Sequence, residues 1–252
     1  MTAAASQRGT QVTDPRDLGK FAGVDAWVFD LDNTLYPRHI NLFAQVDTRI
    51  RDYVARLLHV PLDEAQRVQK QYYQRYGTTL RGLMEEHGIA PDDFLSYVHD
   101  IDHSPVQPDP KLGDAIERLP GRKFIFTNGS VAHATRVAER LGITRHFESI
   151  FDIVSSELLP KPNRATYDRF LTATGVEPKR AAMFEDLSRN LVVPNALGMT
   201  TALIVPTGIR EAVTEDWELE GRDAPHVDFV TDDLATFLEQ VLDSLGGERR
   251  AD

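Results

Sequence analysis

The chain has 252 residues, 41% hydrophobic and 27% charged, the balance of a folded globular protein rather than a disordered or fibrous one. Its formal net charge of -11 repels a phosphate backbone and no basic groove offsets it, which argues against nucleic acid as a partner. The lack of cysteine excludes disulfides, thiolate metal sites and a cysteine nucleophile.

Residues 1–17 are largely polar or small with no apolar run beyond alanines, and eighteen consecutive apolar residues occur nowhere in the chain, so no membrane partner is expected. The expectation is a cytoplasmic protein with short disordered ends at 1–13 and 248–252. Residues 26–29 form a short apolar run that ends in Asp30 and is followed by the turn residues Asp32 and Asn33, which predicts a buried strand. Over 41–58, Leu42, Phe43, Val46, Ile50, Tyr53, Val54, Leu57 and Leu58 recur at helical spacing, so one face of a helix is apolar. Further helices are predicted at 62–76, 80–87 and 91–99, punctuated by Gly77, Gly88 and Pro91.

Beyond Pro105, Pro108 and Pro110 the pattern alternates. Strands are expected at 123–126, 150–154, 181–184, 201–205 and 228–230, with helices at 131–141, 164–174, 188–197 and 234–245. Such alternation predicts an α/β fold, a Rossmann-like doubly wound parallel sheet. The block of about seventy residues between the first strand and the rest far exceeds an ordinary connection of ~4–6 residues, so it reads as an inserted α-helical domain. The predicted division is a core of 14–36 plus 109–247 and a helical cap of 37–108. Residues 208–224 read as a surface excursion.

Four groups of polar residues fall at or just beyond the carboxyl ends of successive predicted strands, where open α/β sheets place their ligands. Asp30 and Asp32 follow the first strand. On an extended backbone they point to one side, and paired carboxylates can divide labour between an ionised group and a proton donor. Thr127, Asn128, Gly129 and Ser130 follow the second strand and offer a hydroxyl, an amide and helix N-terminal N–H groups to an anion. Lys161 stands between Pro160 and Pro162, which restrict the backbone around a single ammonium. Glu185 and Asp186 offer oxygen ligands of the kind Mg²⁺ takes. Each has a plainer reading as a turn, a helix cap or a solvated side chain; their common location argues for one site.

The run Phe29-Asp30-Leu31-Asp32-Asn33-Thr34-Leu35-Tyr36-Pro37 resembles the first motif of the haloacid dehalogenase superfamily. Thr127-Asn128 resembles its second motif, Lys161 its third and Glu185-Asp186 its fourth, and the helical insertion resembles that superfamily's small α-helical cap. The run through Tyr36-Pro37 and residues 76–83 and 184–190 are most similar to its pyrimidine 5'-nucleotidase branch. The resemblance implies a Mg²⁺-dependent phosphomonoesterase acting through an aspartyl phosphate. Asp30 would be the nucleophile and a metal ligand, Asp32 the acid and base whose backbone carbonyl also binds the metal, and Asp186 a direct metal ligand. Thr127, Asn128 and Lys161 would hold the phosphoryl oxygens. The chain departs from the pattern where Glu185 replaces the usual Gly or Asp, which leaves direct or water-mediated metal contact open, and where Asn190 stands in place of Asp.

The implied substrate is a small phosphate ester, a pyrimidine nucleoside 5'-monophosphate first and a sugar phosphate or pyridoxal phosphate as alternatives. A phosphomutase or a non-catalytic phospholigand-binding protein would share the scaffold. A dehalogenase would need neither the second acid nor the metal. Tyr72, Tyr73 and Tyr76 are candidates for stacking on a base. His99 and His103, four apart, are given little weight as metal ligands because Pro105 follows, and the segment after Pro206 lacks a nucleotide-cradling glycine pattern.

Overall fold

The computed structural model describes residues 15–206 and 221–248. Within them six strands, β1 Ala26–Phe29, β2 Arg122–Phe126, β3 Ser149–Phe151, β4 Ala181–Glu185, β5 Thr200–Ile204 and β6 Phe229–Thr231, form one sheet in the order β3-β2-β1-β4-β5-β6. Every pairing is parallel. This is the expected Rossmann-like doubly wound sheet.

Successive strand residues face opposite sides of the sheet, and both sides are covered. Trp27 and Phe29 of β1 join Ile125, Ala182 and Phe184 in one buried cluster with α5 (Pro110–Arg118), α6 (Val131–Leu141) and α9 (Leu234–Glu248). Ala26 and Val28 join Phe124, Phe126 and Met183 in a second cluster with α7 (Arg164–Thr174) and α8 (Val192–Leu197). Burial on both faces is why β1 and β4 read as unbroken apolar runs rather than alternating ones.

The strand order reverses between β1 and β4, opening a crevice at their carboxyl ends. Phe29 is level with Ile125 on one side and Phe184 on the other. Continued by one residue, this register sets Asp30 beside Phe126 and Glu185, and the Asp30 N–H donates to the Phe184 carbonyl at 2.9 Å.

Between β1 and α5 the chain makes four helices, α1 Leu42–Leu58, α2 Leu62–Tyr76, α3 Thr79–His87 and α4 Pro91–Val98. Val46, Val54, Leu80, Leu83, Phe94 and Val98 give this insertion its own buried cluster, which the loop after β3 joins through Ile153 and Leu158. Gly77 ends α2 at φ +84°, where a Cβ would also lie 3.0 Å from Pro160 Cγ. The α2–α3 corner thus rests on the residue before Lys161. Among the described residues no helix is long and apolar enough to cross a membrane.

Four elements differ from expectation. β3 stops at Phe151 because Asp152 turns the chain: its Oδ1 accepts the Ser155 N–H at 2.9 Å and its Oδ2 the Val131 N–H at 2.9 Å. The helix expected at 188–197 is a 3-10 turn, Ser188–Leu191, followed by α8. Pro194 has no N–H to give the Asn190 carbonyl, which accepts the Tyr167 hydroxyl at 2.7 Å instead. Helix α5 was not expected, although Asp109 caps it by accepting the Leu112 N–H at 2.9 Å and Pro110 occupies its first turn. The last helix runs to Glu248, the residue at which the disordered tail was expected to begin. The other end residues and most of the 208–224 excursion lie outside the described residues.

Candidate active site

Past β1 the chain turns at Asn33, which sits in the left-handed region at φ 60°, a conformation asparagine tolerates better than most residues. The turn closes when the Leu35 N–H donates to the Leu31 carbonyl at 3.0 Å. Asp30 and Asp32 therefore do not lie on a continuous extended strand, and their side chains meet different partners.

Asp30 is 7% exposed. Its Oδ1 accepts the Lys161 ammonium at 2.8 Å and its Oδ2 the Thr34 hydroxyl at 3.1 Å. Lys161, 1% exposed, also donates to Glu185 Oε1 at 2.7 Å and to the Phe126 carbonyl at 2.7 Å, so all three of its protons are used. Burial alone would lower the ammonium's pKa, but Asp30 and Glu185 more than reverse this and raise it. Burial pushes the Asp30 carboxyl up; Lys161 opposes and Glu185 adds to the push, leaving it at about 7.

Asp186 follows β4. Burial, then Glu185 and Asp30, hold its carboxyl well above the usual carboxylate range against the opposing pull of Arg38 and Asn33, whose side chains reach its Oδ2 at 3.3 Å each. Oxygens of Asp30, Glu185 and Asp186 lie within 4.8 Å of one another. Three carboxylates at that spacing, two of them with raised pKa, fit a hard divalent cation such as Mg²⁺.

Glu185 is bonded at both oxygens. Its Oε1 accepts Lys161 and, at 2.7 Å, Asn190 Nδ2, and its Oε2 accepts the Leu187 N–H at 3.0 Å. The amide at position 190 matters here: an aspartate would replace that hydrogen bond with a carboxylate facing a carboxylate.

Thr127 is buried, and its Oγ1 accepts the Gly129 N–H at 2.9 Å, which leaves its hydroxyl proton to donate elsewhere. Asn128 behaves differently from the expected phosphate ligand. Its Oδ1 accepts the Lys161 N–H at 2.8 Å and its Nδ2 donates to the Lys161 carbonyl at 3.3 Å. The side chain clamps the Lys161 backbone.

Asp32 lies apart from the acidic cluster. Its Oδ1 accepts the Tyr36 hydroxyl and lies 2.8 Å from His133 Nε2. Burial would raise its pKa, but His133 and then Tyr36 outweigh burial and lower it. His133 was not anticipated. Its one signal is a histidine on the apolar face of α6, among Ala134, Val137 and Ala138. His99 and His103 do not join the carboxylate group but flank His133, with ring centroids at 4.7 and 5.4 Å. Burial, then His133, lowers the His99 pKa to about 4.

A cavity of about 530 Å³ opens beside the β4 loop, lined by Tyr73 and Gln74 of α2 and by Leu187, Ser188, Arg189 and His226. The Arg189 guanidinium lies over the Tyr73 ring at 4.6 Å. Tyr72 and Tyr76 pack on each other at 5.9 Å, so of the three tyrosines it is Tyr73 that lines this space.

Residues 24–191 match the model for haloacid dehalogenase-like hydrolases. The chain is 26% identical over 260 residues to Phosphate metabolism protein 8 of Saccharomyces cerevisiae, covering 96% of this chain and 78% of that protein. Among solved structures it resembles L-2-haloacid dehalogenase from Xanthobacter autotrophicus with chloropropionic acid covalently bound, at 17% identity and TM-score 0.55 over 86% of this chain and 98% of that one. It also resembles HAD phosphatase from Thermococcus onnurineus, at 19% and 0.56 over 90% and 100%. A third is a HAD family hydrolase from Deinococcus radiodurans R1 with bound phosphate and sodium, at 21% and 0.52 over 89% and 97%. At these identities the structural likeness is one of fold.

Proposed function

The chain belongs to the haloacid dehalogenase-like hydrolase family, and from that premise we propose that it hydrolyses small phosphomonoesters with Asp30 as nucleophile and Asp32 as acid and base. The observation that supports this best is the pair itself: one carboxyl on Lys161 within an acidic, oxygen-only cluster, the other held apart by His133 and Tyr36. Asp30 attacks phosphorus, the bond to the leaving oxygen breaks, and Asp32 gives that oxygen its proton. Asp32 then takes a proton from water, whose oxygen attacks the aspartyl phosphate and frees Asp30 and phosphate.

Asp30, Asp186 and the Asp32 backbone carbonyl would hold Mg²⁺, with Glu185, engaged at both oxygens, acting through water. Bound there, the ion supplies positive charge that keeps Asp30 ionised and offsets charge on the phosphoryl group. The Thr127 hydroxyl, the Asn128 N–H and Lys161, whose ammonium turns from one of its three acceptors, receive the phosphoryl oxygens. A dehalogenase reading leaves the second acid and the carboxylate cluster without a task.

The core, 14–36 with 109–247, carries the chemistry, and the cap, 37–108, shapes entry. The cavity that Tyr73 and Arg189 help to line is roomy enough for a nucleoside, within the ~300–1,000 Å³ of small-molecule sites. We assign it the leaving group and place pyrimidine nucleoside 5'-monophosphates first, on the likeness of residues 76–83 and 184–190 to that branch. The test is phosphate release from UMP, CMP, AMP and a sugar phosphate, each with Mg²⁺ and with EDTA. Magnesium-dependent release favouring UMP or CMP is expected. Equal turnover of all four removes the nucleotide assignment, and no release from any removes the phosphatase reading.

A further inference from the structure

His133 on α6 is fully buried, and its ring is fixed on three sides. Nε2 lies 2.8 Å from Asp32 Oδ1 and Nδ1 lies 3.3 Å from His103 Nε2. One face stacks on His99 at 4.7 Å and 12°. The flanking rings are anchored in turn: His103 Nδ1 is 3.1 Å from the Ile101 carbonyl and His99 Nδ1 is 3.0 Å from Ser130 Oγ. Ser130 also caps α6, accepting the His133 N–H at 3.3 Å.

A buried histidine on a helix face is most often a packing residue, with its nitrogens satisfied wherever partners happen to be. Here the inner nitrogen ends on the carboxyl that the reaction uses. Tyr36 OH donates to the same Oδ1, and among the described residues Oδ2 has no hydrogen-bond partner. Two groups grip one oxygen and leave the other to face the substrate.

We propose that His133 is a positioning residue for Asp32, and that His103 and His99, on the segment joining α4 to α5, hold His133 in place. The proposal rests on the phosphatase reading above. As the bond from phosphorus to the leaving oxygen breaks, its electron pair stays on that oxygen, which takes the proton from Asp32 Oδ2. In the second half-reaction the same Oδ2 receives the proton from water. A carboxyl free to rotate would present the proton in the required direction only part of the time, and fixed geometry of this kind is where general acid catalysis gets its effect.

The test compares kcat/KM, which reports the first half-reaction, for two esters in the presence of Mg²⁺. One is an alkyl phosphate, UMP or whichever alkyl ester of the panel turns over fastest, whose leaving oxygen needs a proton. The other is p-nitrophenyl phosphate, whose phenolate leaves without one. Asp32→Asn sets the ceiling. His133→Leu is expected to lower kcat/KM for the alkyl ester by about 10²-fold and for the aryl ester by less than about tenfold. His133→Gln, whose amide extends to the Nε2 position, is expected to recover most of the alkyl-ester loss. An equal loss on both esters, or no loss, overturns the proposal, because damage to packing or to the phosphate site spares neither ester. Should His133→Leu fail to fold, His103→Leu carries the same comparison with a selective loss of about three- to tenfold, and a flat ratio there overturns it equally. No release by the wild-type protein from either ester overturns the phosphatase reading as well, whereas wild-type release with a flat ratio overturns this inference alone.

Discussion

Asp30 and Asp32 are two residues apart, yet their carboxyl groups live among opposite neighbours. Asp30 shares its surroundings with Glu185 and Asp186, and burial, opposed by Lys161 and joined by Glu185, leaves it at about 7. Asp32 meets a histidine and a phenol, which together outweigh burial and lower its pKa. Set by the protein's own groups, this order is the reverse of the one the proposed reaction uses, in which Asp30 is the carboxylate and Asp32 carries a proton. The difference shows where charge has to arrive. A cation beside Asp30 and Asp186 lowers the first, and the negative phosphoryl group beside Asp32 raises the second. In the proposed reaction each group would be tuned by a ligand, and cation and ester together would set the protonation state that neither sets alone.

The comparison breaks most sharply at Asp30. Asp30→Asn preserves shape and removes the nucleophile, so phosphate release is expected to fall on the order of 10⁴-fold or more with the fold intact by circular dichroism. Release at the wild-type rate would take Asp30 out of the chemistry. Lys161→Met tests the charge on the same side. It leaves Asp30 and Glu185 facing each other in a buried space, and a loss of about 3–5 kcal/mol is expected in urea denaturation with EDTA present. Little change would mean that water already reaches these groups.

Asp186→Asn carries the opposite sign. Removing one of three crowded carboxylates should raise the melting temperature in EDTA. The stabilisation by Mg²⁺, about 2.7 kcal/mol for the native protein at a hundredfold excess over Kd, should shrink or vanish. A variant that melts lower in EDTA would contradict the charge crowding from which the cation site is argued.

Much of this frame is legible in the sequence because its signals are local. Strands buried on both faces read as short apolar runs, and α2, α6 and α7 end where Gly77, Gly142 and Gly175 adopt positive φ. Asp30, Thr127, Lys161, Glu185 and Asp186 stand out because the carboxyl ends of parallel strands converge. What the sequence hides depends on where a side chain points once helices pack. His133 is one more residue on a buried helix face until Asp32 is seen 101 positions away. Arg38 reaches Asp186 across 148. Asn128 reads as an anion ligand because its partner is the backbone of Lys161, 33 residues on. Helix α5 is a different case: the Asp109-Pro110 start signal is local but follows Pro105 and Pro108, and the next element expected is the strand at 123–126.

The smallest expected effect falls on the Asp32 side of the comparison and concerns His99. Burial, then the neighbouring His133, holds its pKa at about 4, while Asp32 pulls weakly the other way and His103 adds to the lowering. In the unfolded chain the ring titrates near ~6.5. Between these values the unfolded state binds more protons than the folded one, so stability rises with pH across that window. As pH falls from 7 to 5, this group alone should remove about 2 kcal/mol, with the loss complete below its folded pKa. His99→Asn cannot titrate and keeps an amide near the Nδ1 position that meets Ser130. Urea denaturation of both proteins at pH 7 and pH 5 cancels the contribution of groups that do not interact with His99, and the variant should lose about 2 kcal/mol less than the native protein. An equal loss in both would mean that His99 is protonated in the folded protein. The ring stacked on His133 would then carry a charge.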